Sequence, residues 1–157
     1  MQTRPALAFD DAFITGVDEI DDQHRNLIDL TNEAAQVFAG SPPPNRVRQL
    51  VQELLSYAIY HFRTEEGLMR QYGYHEADND AAESHVRRHR DFAAKVVSVQ
   101  EALQRREFVD SAALVEYLAD WITHHILGTD QELAAFILQR RTEQGDPPAA
   151  TRSSPDG

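Results

Sequence analysis

Residues 50–73 read LVQELLSYAIYHFRTEEGLMRQYG, and their pattern already indicates the class of fold. Apolar residues recur every three or four positions, which is the spacing of one face of an α-helix. We expect this helix to have Asn45 as its N-cap and to stop at Gly73. The inward face would consist of Val47, Leu50, Leu54, Ala58, His61, Glu65, Leu68 and Tyr72. Two members of that face, His61 and Glu65, have strongly polar side chains, which are unusual in an apolar core.

Three further segments have the same spacing. One begins at Asp22 and ends at Gly40 and the prolines after it, one opens at Asp80 with Glu83 in a capping-box arrangement, and one starts near Asp110. Their inward positions are His24, Leu27, Ile28, Thr31, Ala35 and Phe38; His85, His89, Phe92, Val96, Val99 and Leu103; and Leu114, Leu118, Ile122, His125, Thr129, Leu133 and Phe136. Four helices with short links predict an all-α, up-down-up-down four-helix bundle.

The ends of the chain differ from its middle. Residues 1–18 lack periodicity and are expected to form an extended N-terminal arm of a bundle domain that spans residues 1–141. The remainder, TEQGDPPAATRSSPDG (residues 142–157), is polar and rich in Pro, Gly and Ser, which is typical of a disordered tail.

Composition excludes several classes of function. The 157 residues include 15 Lys plus Arg and 26 Asp plus Glu, and the formal net charge of −11 argues against nucleic-acid or membrane-surface binding. Cysteine is absent, which removes disulfides, zinc–thiolate sites and thiol nucleophiles. Neither a secretory signal nor a run of about 20 apolar residues is visible. We expect a cytoplasmic protein without membrane insertion, and a monomer.

Polar donors interrupt all four predicted helix faces. A buried imidazole or carboxylate without a partner costs several kcal/mol. The spacing of four residues within His61/Glu65 and within His85/His89 puts each pair on one helix face, where it can bind one ion. His125 points inward and His124 about 100° away from it. The donors on these inward faces are His24, His61, Glu65, His85, His89 and His125.

Asp130 is a further candidate with an unfavourable spacing. It follows His125 by five residues, which on an ideal helix rotates it by about 140°. It reaches the same site only if the helix is distorted, for example by a π-bulge near Gly128. Imidazole and carboxylate donors suit iron, copper, nickel or zinc, and seven of them suit two ions that share the carboxylates.

Four segments together resemble the hemerythrins, specifically the bacterial single-domain hemerythrin-like proteins. They are GVDEIDDQHRNLIDL (16–30), HFRTEE (61–66), HVRRHRDF (85–92) and WITHHILGTD (121–130). The resemblance implies two iron ions bridged by a solvent-derived oxygen and by the carboxylates of Glu65 and Asp130. His24 and His61 would then bind one iron, and the remaining three metal-binding histidines the other. The pocket wall for dioxygen would include Leu27, Phe62, Trp121 and Ile122.

The activity that this resemblance implies is reversible dioxygen binding for carriage, storage or sensing, by a protein that is not an enzyme. An oxidase, peroxidase or nitric-oxide-reducing enzyme on the same scaffold is an alternative, as is iron storage or iron sensing. A reductase or an oxygen-consuming enzyme would be a possible partner. The connection over residues 66–84, which contains His75, is longer than is usual in the family.

Overall fold

The computed structural model describes residues 6–145, and every long element in that range is a helix. The helices are α1 (Asp18–Ala39), α2 (Pro44–Tyr72), α3 (Tyr74–Ala77), α4 (Asn79–Gln104), α5 (Ser111–His124) and α6 (Gln131–Glu143). A 3₁₀ turn, Asp11–Phe13, precedes α1. A π-helical turn, His125–Asp130, joins α5 to α6 with helical backbone angles on both sides, so that these three elements form one long rod.

The long helices pack as a bundle. α1 contacts α2 and α5, α2 contacts α4 and α6, and the short α3 lies against α4. The links over residues 40–43 and 105–110 are short, so successive rods run in opposite directions. The predicted all-α, up-down-up-down bundle is therefore confirmed.

Some helix ends differ from the sequence prediction. α2 begins at Pro44, after Pro43 as N-cap, because proline at the first helical position gives up an N–H that would have no partner there; Asn45 is not the cap. α4 begins at Asn79, one residue before Asp80, and Asp78 is its cap, accepting a hydrogen bond from the Ala81 amide at 3.1 Å. α5 begins at Ser111, near Asp110 as expected, and Asp110 is its N-cap.

The other boundaries agree with the expectation to different degrees. Gly73 ends α2 with φ of 75°, in the left-handed region that glycine adopts without steric cost. α1 begins four residues before Asp22. α6 runs to Glu143, two residues past the expected domain boundary, and residues 146–157 of the predicted tail lie outside the described residues.

The N-terminal arm packs along the bundle. Residues 6–17, the part of the arm that the structure describes before α1, contain no regular element apart from the 3₁₀ turn. The Leu7 backbone is bound at both its amide and its carbonyl by the Asn32 side chain, each at 2.8 Å. Phe13 is buried in a cluster whose members from α1, α5 and the π-helical turn are Ile28, Ile122 and Ile126. The arm thus covers the side of the bundle between α1 and α5.

The apolar core is divided into two main clusters. One contains α2 residues up to Phe62 and α4 residues from Phe92 onward. The other contains α2 residues from Leu68 onward and Ala82 of α4. On all four rods the predicted metal donors lie in the sequence interval between the two clusters, except that His61 lies one residue before Phe62, the last α2 residue of the first cluster. The fold therefore places a layer of polar side chains across an otherwise apolar interior.

The connection over residues 66–84 closes one end of the bundle. Tyr74 of α3 is buried and its ring lies 5.0 Å from that of Phe136. His75 is partly exposed and lies 3.9 Å from Glu83, away from the polar layer. Within residues 6–145 the structure contains no helix that combines the length and the apolar character needed to cross a membrane.

Candidate metal centre

All seven predicted donors lie together in the polar layer, and none is more than 5% exposed. α1 contributes one, α2 contributes two, and α4 contributes two, while the π-helical turn contributes its first and last residues. In that order they are His24, His61 and Glu65, His85 and His89, and His125 and Asp130.

The donors form two groups that share both carboxylates. Glu65 and Asp130 belong to both groups, and within each group the donor atoms lie within 4.8 Å of one another. The two-histidine group adds His24 and His61 to these carboxylates. The three-histidine group consists of the shared carboxylates with His85, His89 and His125.

In the two-histidine group the second oxygen of each carboxylate faces the imidazoles. Asp130 Oδ2 lies 2.7 Å from His24 Nε2 and 4.0 Å from His61 Nε2. Glu65 Oε2 lies 3.1 Å from His61 Nε2 and 3.7 Å from His24 Nε2. Each carboxylate therefore offers one oxygen to this group.

The remaining oxygen of each carboxylate faces the three-histidine group. Glu65 Oε1 lies 3.2 Å from His85 Nε2 and 3.0 Å from His89 Nε2. Asp130 Oδ1 lies 3.1 Å from His85 Nε2 and 3.0 Å from His125 Nε2. Because each carboxylate divides its two oxygens between the groups, both carboxylates are placed to bridge two cations.

The π-helical turn explains how Asp130 reaches the site. In an α-helix the fifth residue after His125 would point away, but π-helical winding bonds residue i to i+5 and brings that residue over the first. The turn begins at His125 and ends at Asp130, and Asp130 is fully buried. The distortion that the spacing required for Asp130 to reach the site is thus present. His124 is exposed, and its Nδ1 lies 2.7 Å from the Asp120 carbonyl oxygen.

The buried carboxylates impose positive charge on the site. Burial alone raises the pKa of Glu65, but the surrounding histidines, His61 first among them, hold that pKa well below its ordinary value. Burial lowers the pKa of His61, yet the carboxylates of Glu65 and Asp130 raise it to about 10. Burial also lowers the pKa of His85, and the same two carboxylates raise it to about 9. Two buried negative charges thus require protons or metal ions beside them.

Several inward-facing atoms fit metal ions better than protons. His61 Nε2, Glu65 Oε2 and Asp130 Oδ1 make no hydrogen bond within residues 6–145, although donors or acceptors lie 3.0–3.1 Å from each. His89 Nε2 and His125 Nε2 also face each other at 3.2 Å. Close approaches of this kind are expected of ligands that converge on a common cation. Imidazole and carboxylate donors in two groups with shared carboxylates suit a di-iron centre.

Aromatic rings cover the three-histidine group. Phe62 stacks on His89 with ring centroids 4.0 Å apart, and Trp121 stacks on His125 at 4.3 Å. The two rings meet edge to face at 5.8 Å. Leu27 and Ile122, the other predicted pocket residues, are buried in the adjoining apolar clusters. Phe62 and Trp121 thus lie directly against the polar layer, and the contact of all four predicted wall residues with dioxygen stays a prediction.

Two residues that contact the donors were not predicted from the sequence. Gln23 Oε1 accepts from His61 Nδ1 at 2.7 Å, and Glu66 Oε2 lies 2.8 Å from His89 Nδ1. The hydrogen bond with His89 is the first cause of the lowered pKa of Glu66. Each residue is the chain neighbour of a predicted donor, and that adjacency was the available signal. It is weak, because adjacent helical residues normally point about 100° apart.

Comparison with known proteins gives a consistent result. The family model described as "Hemerythrin HHE cation binding domain" matches residues 15–137. A bacteriohemerythrin of Stenotrophomonas maltophilia (strain R551-3) is 32% identical over 128 residues, which cover 82% of this chain and 79% of that protein. A bacteriohemerythrin of Clostridium acetobutylicum is 26% identical over 130 residues, covering 78% of this chain and 94% of that protein.

Solved structures support the fold. The crystal structure of wild-type hemerythrin matches with a TM-score of 0.75 at 21% identity, covering 85% of this chain and 98% of that one. The predicted resemblance is confirmed by the sequence matches, since the family model covers most of the chain and the first relative is similar over four-fifths of it. The chain belongs to the hemerythrin family.

Proposed function

We propose that this protein binds dioxygen reversibly at a di-iron centre held by the seven donors of the polar layer. The observation that carries the proposal is the division of both shared carboxylates, with one oxygen of Glu65 and one of Asp130 facing each histidine group. Membership of the hemerythrin family supports iron as the metal. The curated relatives carry the name bacteriohemerythrin, which names no reaction.

The two groups differ in their number of donors. The three-histidine group has one imidazole more than the two-histidine group. A ferrous pair supplies, when bound, two electrons that dioxygen takes up and later returns. The group with fewer protein donors leaves more room for an external ligand, and dioxygen binding is therefore assigned to the side of His24 and His61.

The chain's contribution to reversibility is to exclude water and extra protons. Phe62, Leu27 and Ile122 are no more than 5% exposed, and Phe62 and Trp121 cover imidazole faces. A dry pocket prevents side reactions of a reactive site, including the entry of protons that would release reduced oxygen. Loss of reduced oxygen would leave the irons oxidised and the protein unable to bind again.

The direct test is metal analysis combined with absorption spectroscopy. Protein loaded with ferrous iron under anaerobic conditions should contain two ions per chain and show little visible absorption. Admission of air should produce a visible band, and evacuation should remove it with release of dioxygen. Folded protein that retains no iron, or bound iron that gives no spectral change with air, would refute the proposal.

The same experiment separates the alternative functions. Rapid decay of the band with peroxide release, or turnover with nitric oxide and a reductant, would identify an oxidase, peroxidase or nitric-oxide-reducing enzyme. Readily exchanged iron, with marked loosening of the metal-free protein, would identify iron storage or sensing, because metal binding would then contribute directly to folding. A slowly decaying band supports the carrier.

A further inference from the structure

Two of the five clustered histidines are held from behind by side chains outside the donor set. His61 Nδ1 lies 2.7 Å from Gln23 Oε1, and His89 Nδ1 lies 2.8 Å from Glu66 Oε2. In both imidazoles the other nitrogen, Nε2, points to Glu65 in the polar layer. Each imidazole ring therefore has a partner at both of its nitrogen atoms.

The amide orientation of Gln23 follows from a chain of hydrogen bonds. Its Nε2 donates to Thr64 Oγ1 at 3.0 Å, and that hydroxyl donates to the Tyr60 carbonyl at 3.2 Å. The oxygen of the amide is consequently the atom that faces His61. Because an amide oxygen only accepts, the neutral form of the His61 imidazole keeps its proton on Nδ1 and leaves the lone pair of Nε2 for a metal ion.

Glu66 constrains His89 in a different way. Its carboxylate accepts from Nδ1 while the ring of Phe62 stacks on the imidazole face with an interplanar angle of 10°. The hydrogen bond at Nδ1 fixes the rotation of the ring within its plane, and the stacking on Phe62 fixes the plane itself. Unlike the amide of Gln23, the partner here carries a negative charge, and its side chain is 30% exposed.

We propose that Gln23 and Glu66 are positioning residues for the two metal positions, Gln23 through His61 and Glu66 through His89. The negative charge of Glu66, 2.8 Å behind His89, favours a cation on the other side of that ring and makes the three-histidine position the tighter one. Partners of this kind fix the tautomer of a ligating histidine and raise its basicity, and their loss costs about 10- to 100-fold in metal affinity. The inference rests on the proposed function only in assuming that both groups bind metal.

The test measures Co²⁺ affinity without dioxygen, at one position at a time. His24→Ala leaves the three-histidine group complete, and His125→Ala leaves the two-histidine group complete. In the first background, Glu66→Leu should weaken Co²⁺ binding about 10- to 100-fold, and Glu66→Gln, which keeps an acceptor, by less. In the second background, Gln23→Leu should have the large effect and Thr64→Val a smaller one.

Cross-combinations and a control define specificity. Glu66 variants should leave the Co²⁺ affinity of the two-histidine position unchanged, and Gln23 variants should leave that of the three-histidine position unchanged. Glu53→Gln, an exposed change on α2, the helix of Glu66, should affect neither affinity. Thermal unfolding of the metal-free variants separates positioning from general destabilisation. Equal weakening of both positions in proportion to lost stability, or unchanged affinity in Glu66→Leu and Gln23→Leu, would overturn the inference.

Failure of the inference is distinguishable from failure of the proposed function. If the unmodified chain binds two Co²⁺ ions and the variants bind them equally well, the positioning roles are wrong and the di-metal site stands. If the unmodified chain binds no Co²⁺ and no Fe²⁺, the proposed function is wrong and this inference is overturned with it.

Discussion

Asp130 lies five residues after His125, yet its Oδ1 is 3.0 Å from His125 Nε2. The π-helical turn that starts at one residue and ends at the other makes this contact. Its consequence extends across the bundle, because the other oxygen of Asp130 lies 2.7 Å from His24 Nε2 on α1. A local change in helical winding thus joins the fourth rod to the first through one carboxylate.

The shared carboxylates are expected to control occupancy of both metal positions. Asp130→Asn keeps the volume of the side chain but removes the charge and one of the two facing oxygens. We expect the iron content to fall from two ions per chain to one or fewer, as measured by elemental analysis after anaerobic loading. Asp29→Asn, an exposed change on α1, is the matched control. Two tightly held ions in the Asp130 variant would rule out a bridging role.

The pair of adjacent histidines at 124 and 125 gives a second prediction. His125 is buried among the donors, whereas His124 is exposed and contacts the backbone of its own helix. His125→Ala should lose iron, because the three-histidine group loses one of its imidazoles. His124→Ala should load normally. The iron content of the two variants, measured side by side, tests this prediction. Loss of iron in His124→Ala with normal loading of His125→Ala would show that His124 is the ligand.

The pH dependence of the metal-free protein gives a third prediction. The pKa of His61 is raised from 6.5 to about 10 and that of His85 to about 9, so both hold their protons more tightly in the folded state. Their contribution to stability is therefore complete below pH 6.5 and is lost as the pH rises to 10. The pKa of Glu65 is lowered, so its contribution is lost as the pH falls below its ordinary value of 4.5.

Thermal unfolding of chelator-treated protein measures this profile. The midpoint should be highest between about pH 4.5 and 6.5 and should fall steadily toward pH 10. His61→Asn should flatten the alkaline decline, whereas His124→Asn should leave its shape unchanged. A midpoint that rises between pH 6.5 and pH 10 would contradict the linkage.

The four-helix architecture was predictable because periodicity and helix-breaking residues are local signals. The proline run after Gly40 and the left-handed Gly73 both act within a few residues. The start of α4 was misplaced because Asp78 and Asp80 are both suitable caps, and the choice between them depends on how the long connection packs through Tyr74. Tertiary contacts of that kind have no local signature.

In the candidate site, too, features with a local signal in the sequence could be predicted, and contacts between helices could not. Donors spaced four apart, such as His61 and Glu65, could be assigned to one face from spacing alone. Asp130 could be placed only through the family resemblance, because spacing alone argued against it. Gln23 and Glu66 were missed because their hydrogen bonds cross between helices, over 38 residues in one case and 23 in the other. Such contacts depend on the rotation of each helix within the bundle.

The N-terminal arm is expected to limit the access of water to the metal site. Asn32 binds the amide and the carbonyl of Leu7, and the arm that follows packs Phe13 on Ile122 and Ile126, beside the predicted dioxygen pocket. Each hydrogen bond contributes roughly 1 kcal/mol net. Loss of both should therefore raise the population of the detached arm without unfolding the bundle.

Asn32→Ala is expected to loosen the arm by about 1–3 kcal/mol, which corresponds to a loss of roughly 5- to 150-fold in hydrogen-exchange protection at the Leu7 amide. The dioxygen-loaded form should decay faster, because water reaches Ile122 and the pocket behind it more often. Asn26→Ala, which removes only an exposed hydrogen bond to Tyr57, is the control and should change neither quantity. Faster exchange with an unchanged decay rate would show that the arm does not protect the site, and water would then have to enter from another side.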